Sequence, residues 1–173
     1  MKNLKPMKKL AFVAIAAIGF TIQANAQATA TATATATITQ PITISKDVDM
    51  NFGNVTVQAA TAGTVILATN GTRTRTAGVT LPATTGTVTA AEFTVTGVSG
   101  WGYNITLPTT VTLNKGAFSM TATTFTSNPT GAGGVLTGGT EVVRVGATLN
   151  VAAGQDPGVY VSLTGFDVTV NYN

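Results

Sequence analysis

The chain from residue 27 onward is a series of short segments in which apolar and polar side chains alternate with a period of two. The clearest segments lie at 101–107, 143–151 and 166–172, with weaker ones at 64–69, 72–81, 92–96 and 117–125. Such alternation gives a β-strand one apolar face. Turn-forming sequences such as Asn70-Gly71 and the glycine-rich stretch 131–134 separate the segments. The pattern therefore predicts an all-β sandwich or barrel.

The first 26 residues have a different pattern. Four lysines fall within the first nine positions, an apolar stretch follows at 10–22, and Ala24-Asn25-Ala26 comes next. This order predicts a secretory signal peptide over residues 1–26, and therefore an exported protein. The apolar stretch is shorter than the roughly 20 residues that a membrane helix needs, so no membrane span is expected.

Residues 27–44 form an N-terminal extension in which Ala-Thr occurs five times in succession before Ile38. A flexible low-complexity linker is one interpretation. Strict alternation and a β-branched residue at every second position favour a strand instead. Its length is unusual for one small sheet, which suggests two strands or a strand used by another molecule. The candidate donor-strand residues occupy even positions: Ala30, Ala32, Ala34, Ala36, Ile38, Ile42 and Ile44.

Charge and chemistry narrow the possible functions. Without residues 1–26 the chain keeps five cationic side chains and six acids, a net charge of −1, and no basic cluster for nucleic acid. It contains no His and no Cys, so imidazole bases, thiol nucleophiles, the usual zinc ligands and disulfides are lacking. Asp47 and Asp49 are the one close carboxylate pair. We interpret them as solvated groups, and calcium ligation is the alternative. We therefore expect no enzyme, no cofactor and no metal.

Four larger side chains have both a structural and a functional interpretation. Trp101 and Tyr103 share the apolar face of one predicted strand, which favours a place in the core over a sugar-binding platform. Arg73 and Arg75 alternate with threonines after Asn70-Gly71. They are expected on a solvated hairpin face, and an anionic glycan contact is the alternative.

Three stretches resemble the bacterial DUF4402 family and, more distantly, pilins of the chaperone–usher type such as spore-coat-U-like proteins. The first runs from residue 42 to the Asp49-Met50-Asn51-Phe52-Gly53 motif. The second is 91–97 with its continuation at 103–108, and the third is Gly158-Val159-Tyr160 with the close at 166–172. Together they span nearly all of the chain after residue 41.

The resemblance to pilins implies an immunoglobulin-like antiparallel sandwich over residues 45–173 that lacks its final strand. In such pilins the N-terminal extension of one subunit is added to the exposed edge of the next. The resemblance places that acceptor edge on the last strand, with Phe166, Val168, Val170 and Tyr172. It also implies a periplasmic chaperone and an outer-membrane usher as partners.

Two functions are compatible with these observations. The first is a fimbria-like structural subunit that assembles with itself by donor-strand exchange. The second is a self-contained secreted or surface sandwich that binds a glycan or a protein. The long extension favours the first, because a closed domain has no need of it.

Overall fold

A computed structural model describes residues 27–173, and the predicted signal peptide lies outside these residues. The chain divides after Thr37 into two units, of which the second, Ile38–Asn173, contains all the regular structure described here. That unit is almost entirely β-structure, which confirms the predicted all-β fold. Within the described residues, no helix is long and apolar enough to cross a membrane.

Twelve strands make up the domain, together with one short 3-10 turn at Thr137–Gly139. In chain order they are β1 (Thr43–Val48), β2 (Thr56–Val57), β3 (Gly63–Leu67), β4 (Arg73–Arg75), β5 (Val79–Thr80), β6 (Ala91–Thr96), β7 (Gly102–Thr106), β8 (Thr110–Lys115), β9 (Phe118–Asn128), β10 (Gly134–Val135), β11 (Thr140–Val151) and β12 (Thr169–Tyr172).

The strands form two principal antiparallel sheets. The larger has seven strands: β11 pairs with β6 and β3 along one side and with β9 along the other, while β1, β4 and β8 extend it outward. The smaller sheet has the order β10-β7-β12. Two very short strands, β2 and β5, pair separately. The domain is thus a sandwich in which the second sheet covers only part of the first.

Period-two alternation determines which side chains lie between the sheets. In β11 the five residues Val143, Val145, Ala147, Leu149 and Val151 are all buried, as their spacing predicts. The weaker segment at 72–81 is instead divided into β4 and β5, because the chain turns at Ala77, where φ is +48°. One predicted strand is therefore two short ones.

The core consists of two apolar clusters. The first cluster lies between β6, β11 and the small sheet, and it includes Tyr103, Val143 and Val170. The second cluster lies against β3, β9 and the far half of β11, where the small sheet does not reach. Met50 and Phe125 pack against both clusters and join them.

The second cluster is covered by irregular chain. Residues 155–166, here called the strap, cross it and make one isolated bridge with β8, in which Asn114 and Val161 exchange main-chain hydrogen bonds of 2.8 and 3.0 Å. Beneath the strap is a cavity of about 710 Å³. It is partly open to solvent.

Several polar residues have structural roles that the sequence did not indicate. The Arg73 guanidinium donates to the carbonyls of Phe52 and Asn54, and Arg75 donates to that of Val79 at 3.0 Å. Both lie in the β3–β4 hairpin, where Arg75 is exposed and Arg73 is half-buried, so these backbone contacts occur in addition to the solvent exposure expected of this face. They hold the segment after β1 and the turn before β5 against the sheet.

Trp101 also differs from its expected place in the core. Its side chain is 43% exposed, whereas that of Tyr103 is completely buried. The reason is that Trp101 precedes β7 at a loop and packs edge-on against Tyr172, with ring centroids 5.0 Å apart.

Candidate strand-acceptor edge

The last strand, β12, lies at one edge of the small sheet. It pairs with β7 on one side, with Val170 opposite Ile105 and Tyr172 opposite Tyr103. In the part of the chain that the structure describes, no strand pairs with its other side. An edge of this kind can receive a strand from another molecule.

The hydrogen-bond pattern shows which main-chain groups of β12 face outward. Antiparallel neighbours alternate between pairs that exchange hydrogen bonds and pairs that do not. The Ile105 N–H donates to Gly131 on the far side of β7, at 2.9 Å, so Ile105 and Val170 form a pair of the second kind. Val170 and Tyr172 therefore direct their N–H and C=O groups away from β7, towards the open edge.

The side chains of the predicted acceptor edge are largely buried in the domain's own core. Val168 and Val170 are 9% and 8% exposed, and both belong to the first cluster. Phe166 precedes the strand itself, which begins at Thr169, and it is half-buried against Phe93 and Phe125. The four residues are thus brought onto one face, and what β12 offers a partner is mainly its main-chain edge.

Tyr172 fixes the end of β12 to the start of the domain. Its hydroxyl accepts a hydrogen bond from the Val98 N–H at 2.7 Å and donates to the Gln40 carbonyl at 3.2 Å. Gly97 makes this approach possible, because a Cβ there would lie 2.2 Å from the Tyr172 oxygen. The chain therefore enters the domain beside the end of its last strand.

The first strand of the domain is supplied by the chain itself. β1 pairs with β6, with Thr43 opposite Thr96 and Ile44 opposite Val95. Ile42 and Ile44 pack against the first cluster. These two isoleucines therefore belong to the domain's own first strand and not to an exchangeable segment, and the sequence-based boundary at residue 45 falls inside β1.

Within residues 27–173, the residues before Ile42 do not pack against the core, and their attachment to the domain is the hydrogen bond at the Gln40 carbonyl. Residues 27–41 carry no regular secondary structure, and all their side chains are exposed, including Ala30, Ala32, Ala34 and Ala36. Ile38 is 98% exposed. A large aliphatic side chain left in water is costly, so Ile38 is the most conspicuous unpartnered group in the segment.

The open edges of β1 and β12 lie next to each other. The two strands are in contact at the side of the sandwich where Ile42, Ile44, Val168 and Val170 share one core cluster. β1 is itself the outermost strand of the large sheet. A strand added to β12 would therefore close the sandwich along the side where its two sheets end.

Of the acidic pair, Asp47 lies in β1 and Asp49 just beyond its end. Asp47 accepts a hydrogen bond from the Thr94 hydroxyl at 2.6 Å, and Asp49 pairs with Lys46 at 2.7 Å. Across residues 27–173 no group of three or more potential ligands comes together. The two carboxylates have separate local partners, which favours the structural interpretation given to them above.

Replacing Tyr172 by phenylalanine should lower the free energy of unfolding by about 1–2 kcal/mol, because the hydroxyl makes two hydrogen bonds. Denaturation with urea would measure the change. Tyr160→Phe is a matched control, since its hydroxyl also makes two hydrogen bonds but lies in the strap. If only Tyr172→Phe also increases proteolysis near residue 40, its hydroxyl anchors the start of the domain. Equal cleavage in the two variants would contradict that role.

Comparison with known proteins gives one family. The sequence model described as "Domain of unknown function (DUF4402)" matches residues 42–172. The match begins one residue before β1 and leaves the Ala-Thr segment outside it. No curated protein and no solved structure matches the chain.

Proposed function

The chain belongs to the DUF4402 family, and from that premise we propose that it is a structural subunit of a surface fimbria that assembles by exchanging its N-terminal segment. The segment of one copy adds to the β12 edge of the next. The exchanged part is residues 28–40, shorter than the sequence alone suggested, because Ile42 and Ile44 remain in their own domain. The partner is then a second copy of the same chain.

One observation carries this proposal. Within the described residues, the same chain has an open strand edge and a segment of strand-like composition, residues 28–39, whose side chains are all exposed. Strand addition satisfies the main-chain groups of both at once. A disordered linker would account for the exposed segment, but not for its strict alternation or for Ile38 at its end.

Export and assembly partners follow from the same proposal. The subunit would pass through the periplasm before it reaches the cell surface. An open edge such as β12 pairs readily with other chains, so it has to be protected in transit. A periplasmic chaperone and an outer-membrane usher would serve that purpose. The role is structural and does not involve catalysis.

Cysteine cross-linking between copies tests the exchange, since the wild-type chain has no Cys and every disulfide can be placed. If the Ala face of the segment turns inward, its threonines lie on the same outer face as Asn171 of β12. Asn171→Cys in one tagged copy should therefore cross-link to Thr33→Cys, Thr35→Cys or Thr37→Cys in a differently tagged copy. Opposed strand residues have Cβ atoms about 4.5–5.5 Å apart, close enough for a disulfide.

Ala34→Cys is the matched control, because it lies in the same segment with its side chain on the opposite face. The readout is the yield of mixed dimer on a non-reducing gel after mild oxidation. A clear excess for at least one threonine position over Ala34→Cys supports addition to β12. Equal yields at all four positions would mean that the segment collides with β12 at random, and the exchange proposal would fail.

A second candidate function is a self-contained module that binds a glycan. The half-exposed indole of Trp101 favours it, since an aromatic face is a common platform for sugar rings. The presence of β1 in its own domain is compatible with a module that needs no second copy. Trp101→Ala distinguishes the two candidate functions. It would abolish glycan binding by the module, whereas in the fimbrial subunit it would leave the cross-link with Asn171→Cys in place.

A further inference from the structure

The cavity beneath the strap has the dimensions and lining of a small-molecule site. Binding sites for small molecules are clefts of about 300–1,000 Å³ lined mainly by apolar side chains, and this cavity measures about 710 Å³. Its floor is the inner face of the large sheet, where Leu113, Met120, Ala122 and Leu149 stand side by side. It lies in the half of the domain that the small sheet does not cover.

The charges around the cavity restrict what it can hold. Asp156 is the one charged residue in the lining, and its carboxylate is ion-paired with Lys115. An ionised ligand would therefore enter an apolar space without an available countercharge, which is unfavourable. The Tyr160 hydroxyl and the Gln155 amide nitrogen already hydrogen-bond to each other and to the backbone, so the neutral group left for a ligand at the strap is the Gln155 amide oxygen.

The strap covers the cavity without filling it. The side chains of Val159 and Leu163 are more than four-fifths exposed, and that of Val161 is more than half exposed. The strap's first residues are held by the Lys115–Asp156 pair and by hydrogen bonds among Gln155, Tyr160 and the backbone. Val159 and Val161 therefore border the cavity while remaining largely exposed to solvent.

The cavity is distinct from the β12 edge. Strand addition uses unpaired main-chain groups at a sheet edge, whereas the cavity floor is a sheet face made of side chains. The strands that form this floor, β8, β9 and β11, are already paired with one another. Phe166, which precedes β12, also lines the cavity, so the two surfaces adjoin although an added strand and a small molecule would use different groups.

We propose that the cavity beneath the strap binds an uncharged, largely apolar small molecule with one or two hydrogen-bonding groups. The apolar part lies against β8, β9 and β11. A hydrogen-bond donor of the ligand is directed towards the Gln155 amide oxygen at the strap. The site does not depend on the fimbrial role and would exist in a monomer.

Titration with N-phenyl-1-naphthylamine tests this site, since the probe is neutral, apolar and fluoresces more strongly out of water. The purified protein should give a saturable rise in emission. Met120→Trp places a larger ring in the cavity floor and should weaken binding at least tenfold. Ile66→Trp introduces the same ring on the exposed face of β3, outside the cavity, and should leave affinity within about twofold of wild type.

Ala122→Val is a milder filling variant in case Met120→Trp does not fold, as judged by far-ultraviolet circular dichroism. It should weaken binding at least threefold. The proposal is overturned if wild type gives no saturable signal, or if the filling variants bind as well as Ile66→Trp. Displacement of the probe by a peptide of residues 28–40 would also overturn it, because the cavity would then belong to an added strand. Failure of the Asn171→Cys cross-link would leave this result unaffected.

Discussion

Replacing Tyr103 by alanine is expected to lower the free energy of unfolding by about 3–5 kcal/mol, the range for removing a buried aromatic ring. Tyr103 is completely buried at the centre of the first core cluster, where its ring lies directly against Gly134. The ring is packed so closely against Gly134 that a Cβ there would lie 2.4 Å from it. The loss should appear as a lower midpoint in urea denaturation.

The Tyr103 hydroxyl makes a separate contribution. It donates to a Glu141 carboxylate oxygen at 2.9 Å, and the same oxygen accepts the Val135 N–H at 3.0 Å. Burial, followed by the hydrogen bond and negative charge of Glu141, raises the pKa of Tyr103 above its ordinary value near 10. A raised pKa means that the native state holds the proton more tightly, so this contribution is complete below pH 10 and declines as the pH rises above it.

Tyr103→Phe isolates that contribution, because it keeps the ring and removes the hydroxyl. It should cost about 1.5–3 kcal/mol at neutral pH, as for a hydrogen bond to a charged group. Its stability should also fall less steeply above pH 10 than that of wild type, measured by denaturation between pH 8 and pH 11. If both proteins lose stability equally above pH 10, the buried hydroxyl is not the titrating group. Tyr160→Phe is the control for tyrosine loss elsewhere.

Ile38→Asp is expected to abolish assembly of the subunit. In the exchanged segment Ile38 is the one bulky apolar residue, and its burial would contribute about 1.5–3 kcal/mol, whereas each alanine methyl adds little. The main-chain hydrogen bonds to β12 would add about 0.5–1.5 kcal/mol each, and the substitution would not change them. Aspartate at position 38 would therefore remove the largest side-chain contribution to strand addition. Its carboxylate would also have to be desolvated where the isoleucine would be buried.

Thr37→Asp is the matched control, since it introduces the same charge one residue away on the opposite face. Successive strand residues point to opposite faces, so this carboxylate would remain in water. Sedimentation velocity of the two purified variants would measure assembly. Loss of polymer in Ile38→Asp alone supports the exchange, while equal loss in both variants would attribute the effect to charge and count against it.

The fold was predictable where one period explained the burial of a whole strand. β7, β11 and β12 are such strands, because each has one face in the core and the other in water. The assignment of Ile42 and Ile44 could not be made in this way. Alternation says that they share a face, but it does not say whether that face meets its own domain or another. The ladder between β1 and β6 decides this, and it joins residues about fifty positions apart.

Along the strap, alternation does not predict which side chains are buried. Val159, Val161 and Leu163 alternate like the residues of a core strand, yet they point outward. Their orientation follows from the Asn114–Val161 bridge and from the inward-facing Tyr160, both of which are tertiary contacts. The backbone contacts of Arg73 were likewise invisible, since a guanidinium beside threonines gives no signal of the distant carbonyls that it binds.

The register of β1 has a mechanical consequence. A pull along β1, transmitted through the residues before Ile38, would load the five register pairs with β6 in shear. Antiparallel hydrogen bonds run perpendicular to the strands and alternate register pairs exchange them, so the hydrogen-bonded pairs would resist together, whereas peeling from one end would break them in turn. The domain is thus joined to its N-terminal segment in the geometry that withstands tension best. The Tyr172–Gln40 hydrogen bond, placed just outside the ladder, would be the first contact to yield.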